Sequence, residues 1–276
     1  MSGGDTVCRE KGTGRVIEAS SIRQFLGVSV TVCSRVDAVH RLDDAIAQGK
    51  VVKVAFANAH FLNIAHRDMQ FRTALQDFFV LNDGVGIDIA SRIKFGRPFP
   101  ENLNGTDFTP HYLAQSRHAL RIFLLGATAE VAEAAAAVFR RNYPRHTIAG
   151  LHHGYLSDDD ALRVCALIAA VKADVVLVAM GNPLQELWIE KHAAATGAKL
   201  LFGVGALFDF TANKVPRAPF WVRSLSCEWA YRLAQEPRRL ARRYLIGNPK
   251  FLLSILRDRK TAPGNPATQP ELQSAP

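Results

Sequence analysis

The sequence has no run of about 18 apolar residues, the length a membrane-spanning helix needs, and no apolar stretch of signal-peptide kind near its start. Cysteine is scarce. Cys8, Cys33, Cys165 and Cys227 are scattered, without a CxxC pair and without histidines at ligand spacing. That argues against a zinc site or a disulfide framework, and for a reducing compartment. HExxH is missing, and no full GxGxxG dinucleotide fingerprint occurs. The one DxD-like element, Asp158-Asp159-Asp160, follows Ser157 at what reads as a helix start, where acidic residues are favoured by the helix dipole. It is taken as structural, so no metal site is expected. The protein is expected to be cytosolic.

What is present is a basic segment. The formal charge is +9 over 276 residues. Between Lys214 and Lys260 stand twelve basic residues against Glu228, Glu236 and Asp258, an excess equal to that of the whole chain. A solvated surface is the plain reading of such a run. An excess confined to one segment also suits phosphate, nucleic acid or anionic lipid.

Residues 1–22 are Gly/Ser-rich and aperiodic, and the tail from Thr261 is Pro-rich; both read as disordered. Between them, short continuous apolar runs at Val51–Ala57, Leu120–Leu125, Thr147–Leu151, Asp174–Ala179 and Lys199–Val204 predict parallel strands covered on both faces. Helical stretches at Val36–Gln48, Thr106–Arg117, Ala129–Asn142, Asp158–Val171 and Pro183–Ala195 alternate with them. The pattern predicts an α/β fold with a Rossmann-like layered parallel sheet, helices on both faces, over 23–213. A basic, aromatic helical appendage follows over 214–260. Apolar residues around Phe78–Leu81 and Phe95–Phe99 read as interface or, more plainly, as core.

Ligands of such sheets bind outside the carboxyl ends of the strands. The loops there carry Asn58, the Leu81–Gly86 turn, Gly126-Ala127-Thr128 and Met180–Glu186. In NDGVGID, Asp83 reads equally as a helix cap or as a carboxylate placed to take a proton from a hydroxyl, and Gly84 lets a ligand approach the backbone. In GNPLQE, Gly181 ends a strand and proline opens a helix. The plain reading is a well-formed βα loop with paired polar side chains at Gln185 and Glu186. A loop needs neither Asn182 nor Gln185 for its geometry, however, and both are suited to hydrogen-bonding sugar or ribose hydroxyls. His152-His153 reads as a structural pair. From Pro219 to Tyr244, Trp221, Leu225, Trp229, Leu233 and Leu240 interleave with arginines. Arg232, Arg239 and Arg242 share a face if the helix is continuous, although Pro237 interrupts it.

NDGVGI, NGTDF (Asn104–Phe108), HGY (His153–Tyr155), VAMGNPLQELWI (Val178–Ile189), FGVGALFDF (Phe202–Phe210) with RAP, and EWAYRLAQEPRRLARRYLIGNP (Glu228–Pro249) appear in that order. Together they resemble the WecG/TagA/CpsF family of bacterial glycosyltransferases, from about Phe25 to Phe251. The resemblance implies an inverting enzyme that moves a sugar from a UDP-sugar to a polyprenyl-diphosphate-linked saccharide without a metal or other cofactor. It makes Asp83 the general base and gives Gln185 to the substrate pocket. Asn58, Gly84, Asn104, Asp107, Gly126, Gly181, Asn182 and Glu186 join it as substrate-binding candidates. Arg232, Arg239 and Arg242 would close over the site and meet diphosphate at the inner face of the plasma membrane.

Two departures bear on the donor. Teichoic-acid members tend to carry Thr-x-Asn where this chain has Phe56-Ala57-Asn58, and an arginine where it has Asn102. Both positions lie near the donor or acceptor pocket. The FAN and NGTDF forms resemble the GumM-like exopolysaccharide branch, so UDP-glucose is the expected donor and an N-acetylmannosamine-type donor the alternative. Further readings are a nicotinamide-dependent oxidoreductase and a non-enzymatic nucleic-acid or lipid-binding module. The partners expected are the UDP-sugar, the lipid-linked acceptor and an anionic membrane surface, with no nucleic acid; a homo-oligomer is compatible with the sequence.

Overall fold

The computed structural model describes residues 21–216, 218–219 and 228–261, with the side chains of Glu228, Arg239 and 259–261 excepted. The disorder expected over 1–20 and 262–276 lies outside the described residues, as do Arg217, Trp221 and Leu225 of the basic segment. Ser21 and Ile22, assigned above to the disordered start, belong instead to a strand. That strand, β1 (Ser21–Phe25), pairs antiparallel with β2 (Val28–Val32). The turn between them places Leu26 and Gly27 at φ 53° and 84°, which is the double left-handed geometry of a tight hairpin.

The main sheet has six parallel strands in the order β4-β3-β8-β7-β5-β6. These are β3 (Val52–Ala57), β4 (Phe78–Asn82), β5 (Arg121–Gly126), β6 (Thr147–His152), β7 (Val175–Ala179) and β8 (Leu200–Gly203). Five coincide with the predicted runs. The sixth, β4, is the Phe78–Leu81 stretch, read above as core or interface and not assigned to a strand. Continuous apolar runs follow from two-sided burial: Val175 and Leu177 join one apolar cluster, Val176 and Val178 the other, and all four are fully buried.

The helices are α1 (Arg35–Ala47), α2 (Ala59–Arg67), α3 (Met69–Ala74), α4 (Val85–Phe95), α5 (Gly105–Gln115), α6 (Ala129–Asn142), α7 (Asp158–Ala170), α8 (Leu184–Thr196) and α9 (Leu207–Thr211). The acidic triplet opens α7, with Ser157 and Asp160 forming a reciprocal capping box. Its structural reading therefore stands.

The basic segment holds α10 (Glu228–Gln235), α11 (Pro237–Ala241), a π-helical turn (Arg242–Gly247) and α12 (Asn248–Thr261). Phe251 and Ile255 of α12 are fully buried in the same cluster as Phe25, Ile87 and Ala90. Asp258 pairs with Lys94 of α4 and accepts from the Leu26 N–H of the hairpin turn at 3.4 Å. Asn63 of α2 donates to the carbonyl of Gly247 at 2.8 Å. Helix α12 is thus bolted to one face of the sheet, which sets where the arginines before it lie.

Candidate functional site

Two adjoining cavities, of about 200 and 490 Å³, open over the carboxyl ends of the sheet strands. Asn58, His60, Asp83, Thr106, Arg232 and Arg243 line both and so mark their junction. The smaller lobe is completed by the start of α4, by Asn102, Asn104 and Asp107, and by Trp229, Tyr244 and Asn248. The larger is completed by Tyr155, the loop after β7, the loop after β8, Asp209 and Phe210.

Asn58 follows β3 and caps α2: its Oδ1 accepts from the N–H groups of His60 and Phe61, both at 3.1 Å. Its Nδ2 then donates to Asp83 Oδ2 at 3.0 Å. Asp83 leaves β4 with its own N–H bonded to the Ala57 carbonyl at 2.9 Å. Burial raises the Asp83 pKa, while the Asn58 hydrogen bond and the charges of Arg243 and Arg232 pull it back without cancelling the rise. Asp83 is therefore not a helix cap. That place belongs to Gly84 at φ 85°, which supplies no side-chain cap and leaves the first turn of α4 facing the cavity.

Gly84 N–H is bonded by Asn102 Oδ1 at 2.9 Å. Asn104 caps α5 by accepting from the Asp107 N–H at 3.0 Å, and its Nδ2 donates to Asp107 Oδ2 at 2.9 Å. A side chain at Gly105 would meet the Phe56 ring at 2.7 Å, so glycine is what lets this helix start close over β3. Phe56 itself is buried at 5 % exposure.

On the far side, Gln185 Oε1 accepts from the N–H groups of Gly181 at 3.1 Å and Gly205 at 3.0 Å, joining the loops after β7 and β8. Glu186 is fully buried and does not reach the cavity. It acts from behind, its Oε1 accepting from Asn182 Nδ2 and Gln185 Nε2, both at 2.7 Å. Burial pushes its pKa up to about 7. Asn182 precedes a cis peptide bond to Pro183.

The structure brings together Asn58, Asp83, Gly84, Asn104, Asp107, Gly181, Asn182, Gln185 and Arg232. Three of the predicted residues depart from expectation. Glu186 sits one layer back, as described. Gly126 lines neither lobe; at φ 145° a side chain there would stand 2.4 Å from the Ala179 carbonyl oxygen, so close passage of two strands requires glycine. Arg242 is exposed and lines neither lobe.

The shared-face argument for Arg232, Arg239 and Arg242 assumed continuous helix. Glu236, at φ −129° and ψ 60°, breaks α10 from α11, and the π turn shifts the register again. Arg243 is carried to the site instead; the side chain of Arg239 lies outside the described residues. Arg232 stacks over Phe210 with 5.2 Å to the ring centroid.

His60, Thr106, Asp209, Arg243, Tyr244 and Asn248 line the two lobes although sequence reasoning did not name them as site residues. Most fall inside or beside the motifs quoted above, one position from a residue that was chosen or at the other end of the same loop. His60 had no local signal. Burial and the nearby Arg243 lower its pKa to about 4, so it is neutral at physiological pH. Among the described residues, no group of three or more His, Cys, Asp or Glu side chains is placed to hold a metal ion.

A half-buried carboxylate of raised basicity, two arginines and a rim of amides fit the handling of hydroxyls and phosphates at one junction. Comparison with known proteins agrees. Residues 23–264 match the profile of the "Glycosyl transferase WecG/TagA/CpsF family". A relative from Bacillus subtilis (strain 168), N-acetylglucosaminyldiphosphoundecaprenol N-acetyl-beta-D-mannosaminyltransferase, is 30 % identical over 247 residues, covering 88 % of this chain and 93 % of its own length. A relative of the same name from Staphylococcus aureus (strain MRSA252) is 32 % identical over 210 residues, covering 75 % and 80 %.

Proposed function

The chain belongs to the WecG/TagA/CpsF glycosyltransferase family, and from that premise we propose that it moves a sugar from a UDP-sugar to a hydroxyl of a polyprenyl-diphosphate-linked saccharide. The observation that carries the reading is the junction itself, where Asp83, Arg232 and Arg243 line both lobes. In the step proposed, Asp83 takes the proton of the acceptor hydroxyl as its oxygen attacks the anomeric carbon. The bond from that carbon to the UDP oxygen breaks on the opposite face and its electron pair leaves with UDP, inverting the centre. Arg232 and Arg243 offset the charge that develops on the diphosphate, and no metal is required.

The donor expectation changes. Relatives at 30 % and 32 % identity carry an N-acetyl-β-D-mannosaminyl name, and their acceptor is N-acetylglucosaminyldiphosphoundecaprenol. UDP-N-acetylmannosamine is therefore the donor proposed here, in place of UDP-glucose, with a lipid-linked N-acetylglucosamine as acceptor. Phe56 and Asn102, the two departures from the teichoic-acid pattern, have local roles: one packs beneath Gly105 and the other bonds the Gly84 N–H.

Among the described residues no helix is long and apolar enough to cross a membrane. A peripheral position at the inner membrane face is supported by exposed Leu245, Ile246, Leu253 and Leu256 interspersed with Arg242, Lys250 and Arg257. The deciding assay is product formation from a panel of UDP-sugars and a short-chain prenyl-diphosphate-N-acetylglucosamine, with and without EDTA. Turnover of UDP-N-acetylmannosamine that survives EDTA supports the whole reading. Turnover of UDP-glucose alone returns the donor to the exopolysaccharide branch, and loss of turnover in EDTA removes the metal-free step.

A further inference from the structure

The larger lobe is lined on one side by the loop after β7, and the polarity of that wall is set by a residue that never touches the cavity. Glu186 is fully buried and Gln185 is 2 % exposed. One carboxyl oxygen of Glu186, Oε1, accepts from both Asn182 Nδ2 and Gln185 Nε2 at 2.7 Å. An amide that donates through its nitrogen must turn its oxygen the other way. For Gln185 that oxygen is used by the N–H groups of Gly181 and Gly205. Asn182 lines the lobe, and with its Nδ2 given to Glu186 its oxygen is the end of the amide left for the cavity.

The arrangement is tightly built. A side chain at Gly203 would stand 2.8 Å from Gln185 Nε2 and 3.0 Å from Glu186 Oε1, so glycine in β8 makes room for both groups. The second carboxyl oxygen, Oε2, is buried with no hydrogen-bond partner. Such a group in an apolar surround favours its protonated form, in keeping with a pKa near 7. The protonated acid keeps Oε1 as a carbonyl that can accept twice, which is what the two amides need.

We propose that Glu186 is a positioning residue that holds Asn182 with its carbonyl oxygen toward the cavity, so that this wall receives a neutral, hydrogen-bond-donating part of the donor nucleotide-sugar. The chemical class is an N–H or O–H group of a base, ribose or sugar. A phosphate oxygen is an acceptor and meets repulsion there. Diphosphate belongs instead at the junction, beside Arg232 and Arg243. The inference rests on the nucleotide-sugar reading given above.

The test is calorimetric titration of the full chain with UDP and, separately, with inorganic pyrophosphate. Asn182→Ala and Glu186→Leu are each expected to weaken UDP about tenfold, the loss of one well-placed hydrogen bond, while leaving pyrophosphate unchanged. Glu186→Gln, which reproduces the protonated acid in shape and still offers Oε1, is expected to restore UDP binding. The double variant Asn182→Ala with Glu186→Leu is expected to bind UDP no more weakly than Asn182→Ala alone.

The proposal is overturned if Asn182→Ala leaves UDP binding unchanged, if pyrophosphate weakens as much as UDP, or if the two losses add. Because Asn182 is at the cavity rim, its variant decides the question even where Glu186→Leu does not fold. Wild-type protein that binds UDP no better than pyrophosphate also overturns it, by showing that no nucleoside or sugar donor is gripped. Failure of the glycosyl-transfer reading has a different signature: no turnover with any donor, whatever these titrations give.

Discussion

Asn58 donates from Nδ2 to Asp83 Oδ2 at 3.0 Å, and the same amide accepts through Oδ1 from the first turn of α2. The two ends of one side chain are thereby committed, one to secondary structure and one to the proposed base. An amide fixed in this way cannot flip, so the carboxylate is presented in one orientation at the junction of the two lobes. Burial makes that carboxylate more basic than an ordinary aspartate, and the arginines keep the anionic form accessible.

Asp83→Asn keeps the shape and the contact with Asn58 but cannot accept the acceptor's proton. Turnover should fall by about 10²–10⁴, the range usual for a general base, with UDP affinity unchanged. In the wild type the acid limb of the kcat/KM profile should lie above the ordinary aspartate range, since the Asp83 pKa is raised. Near wild-type turnover in Asp83→Asn, with UDP bound normally, would remove Asp83 from that role.

Substitution at Asn58 separates capping from positioning. Asn58→Ala should cost about 1 kcal/mol of stability through loss of the α2 cap, and should also lower turnover. Asn58→Ser restores a capping oxygen without restoring the amide donor to Asp83. It should therefore recover the urea midpoint but not kcat. Recovery of both would mean that the contact with Asp83 contributes nothing beyond the helix start.

Much of this was legible in the sequence. The five strands from Val51 to Val204 were marked by continuous apolar runs, because two-sided burial leaves little room for polar alternation. Asp83 and the Gly181–Gln185 loop were found because small and polar residues interrupt those runs at strand ends. The hairpin was hidden, since Leu26-Gly27 is a weak turn signal and Ser21–Phe25 carries three polar residues in five. Glu186 and Gly126 could be placed in their loops but not on a side of them. Which residues face a ligand and which stand behind depends on neighbouring strands, here Gly203 and Ala179. Arg242, named from helix spacing and from the resemblance, lines neither lobe while Arg243 lines both, because neither signal gives warning of a π turn.

That last distinction is open to direct measurement. Arg243→Ala should lower kcat/KM about 10- to 100-fold, the loss expected for a charge-assisted contact to phosphate. Arg242→Ala should leave turnover of a water-soluble short-chain acceptor intact and weaken binding to anionic vesicles about fivefold, with the residual binding sensitive to salt. The reverse pattern would place Arg242 at the diphosphate and undo the register assigned to the π turn.

Glu186 offers a signature in stability as well as in binding. Its pKa is about 7 in the folded chain against an ordinary glutamate value of about 4.5, and the cause is burial. Between those values the folded chain holds a proton that the unfolded chain has released. Stability therefore falls as pH rises through that window, and this contribution is level above about pH 7. The difference corresponds to about 3 kcal/mol. Glu186→Gln removes the titration while keeping the acceptor for Asn182 and Gln185, so its urea midpoint should drop much less than the wild type's between pH 5 and pH 8. The comparison between the two proteins isolates this group, because every other titrating residue is common to both. Identical pH slopes would show that Glu186 carries no excess proton in the folded chain, and its Oε1 would then have to hold both amides as a carboxylate rather than as an acid.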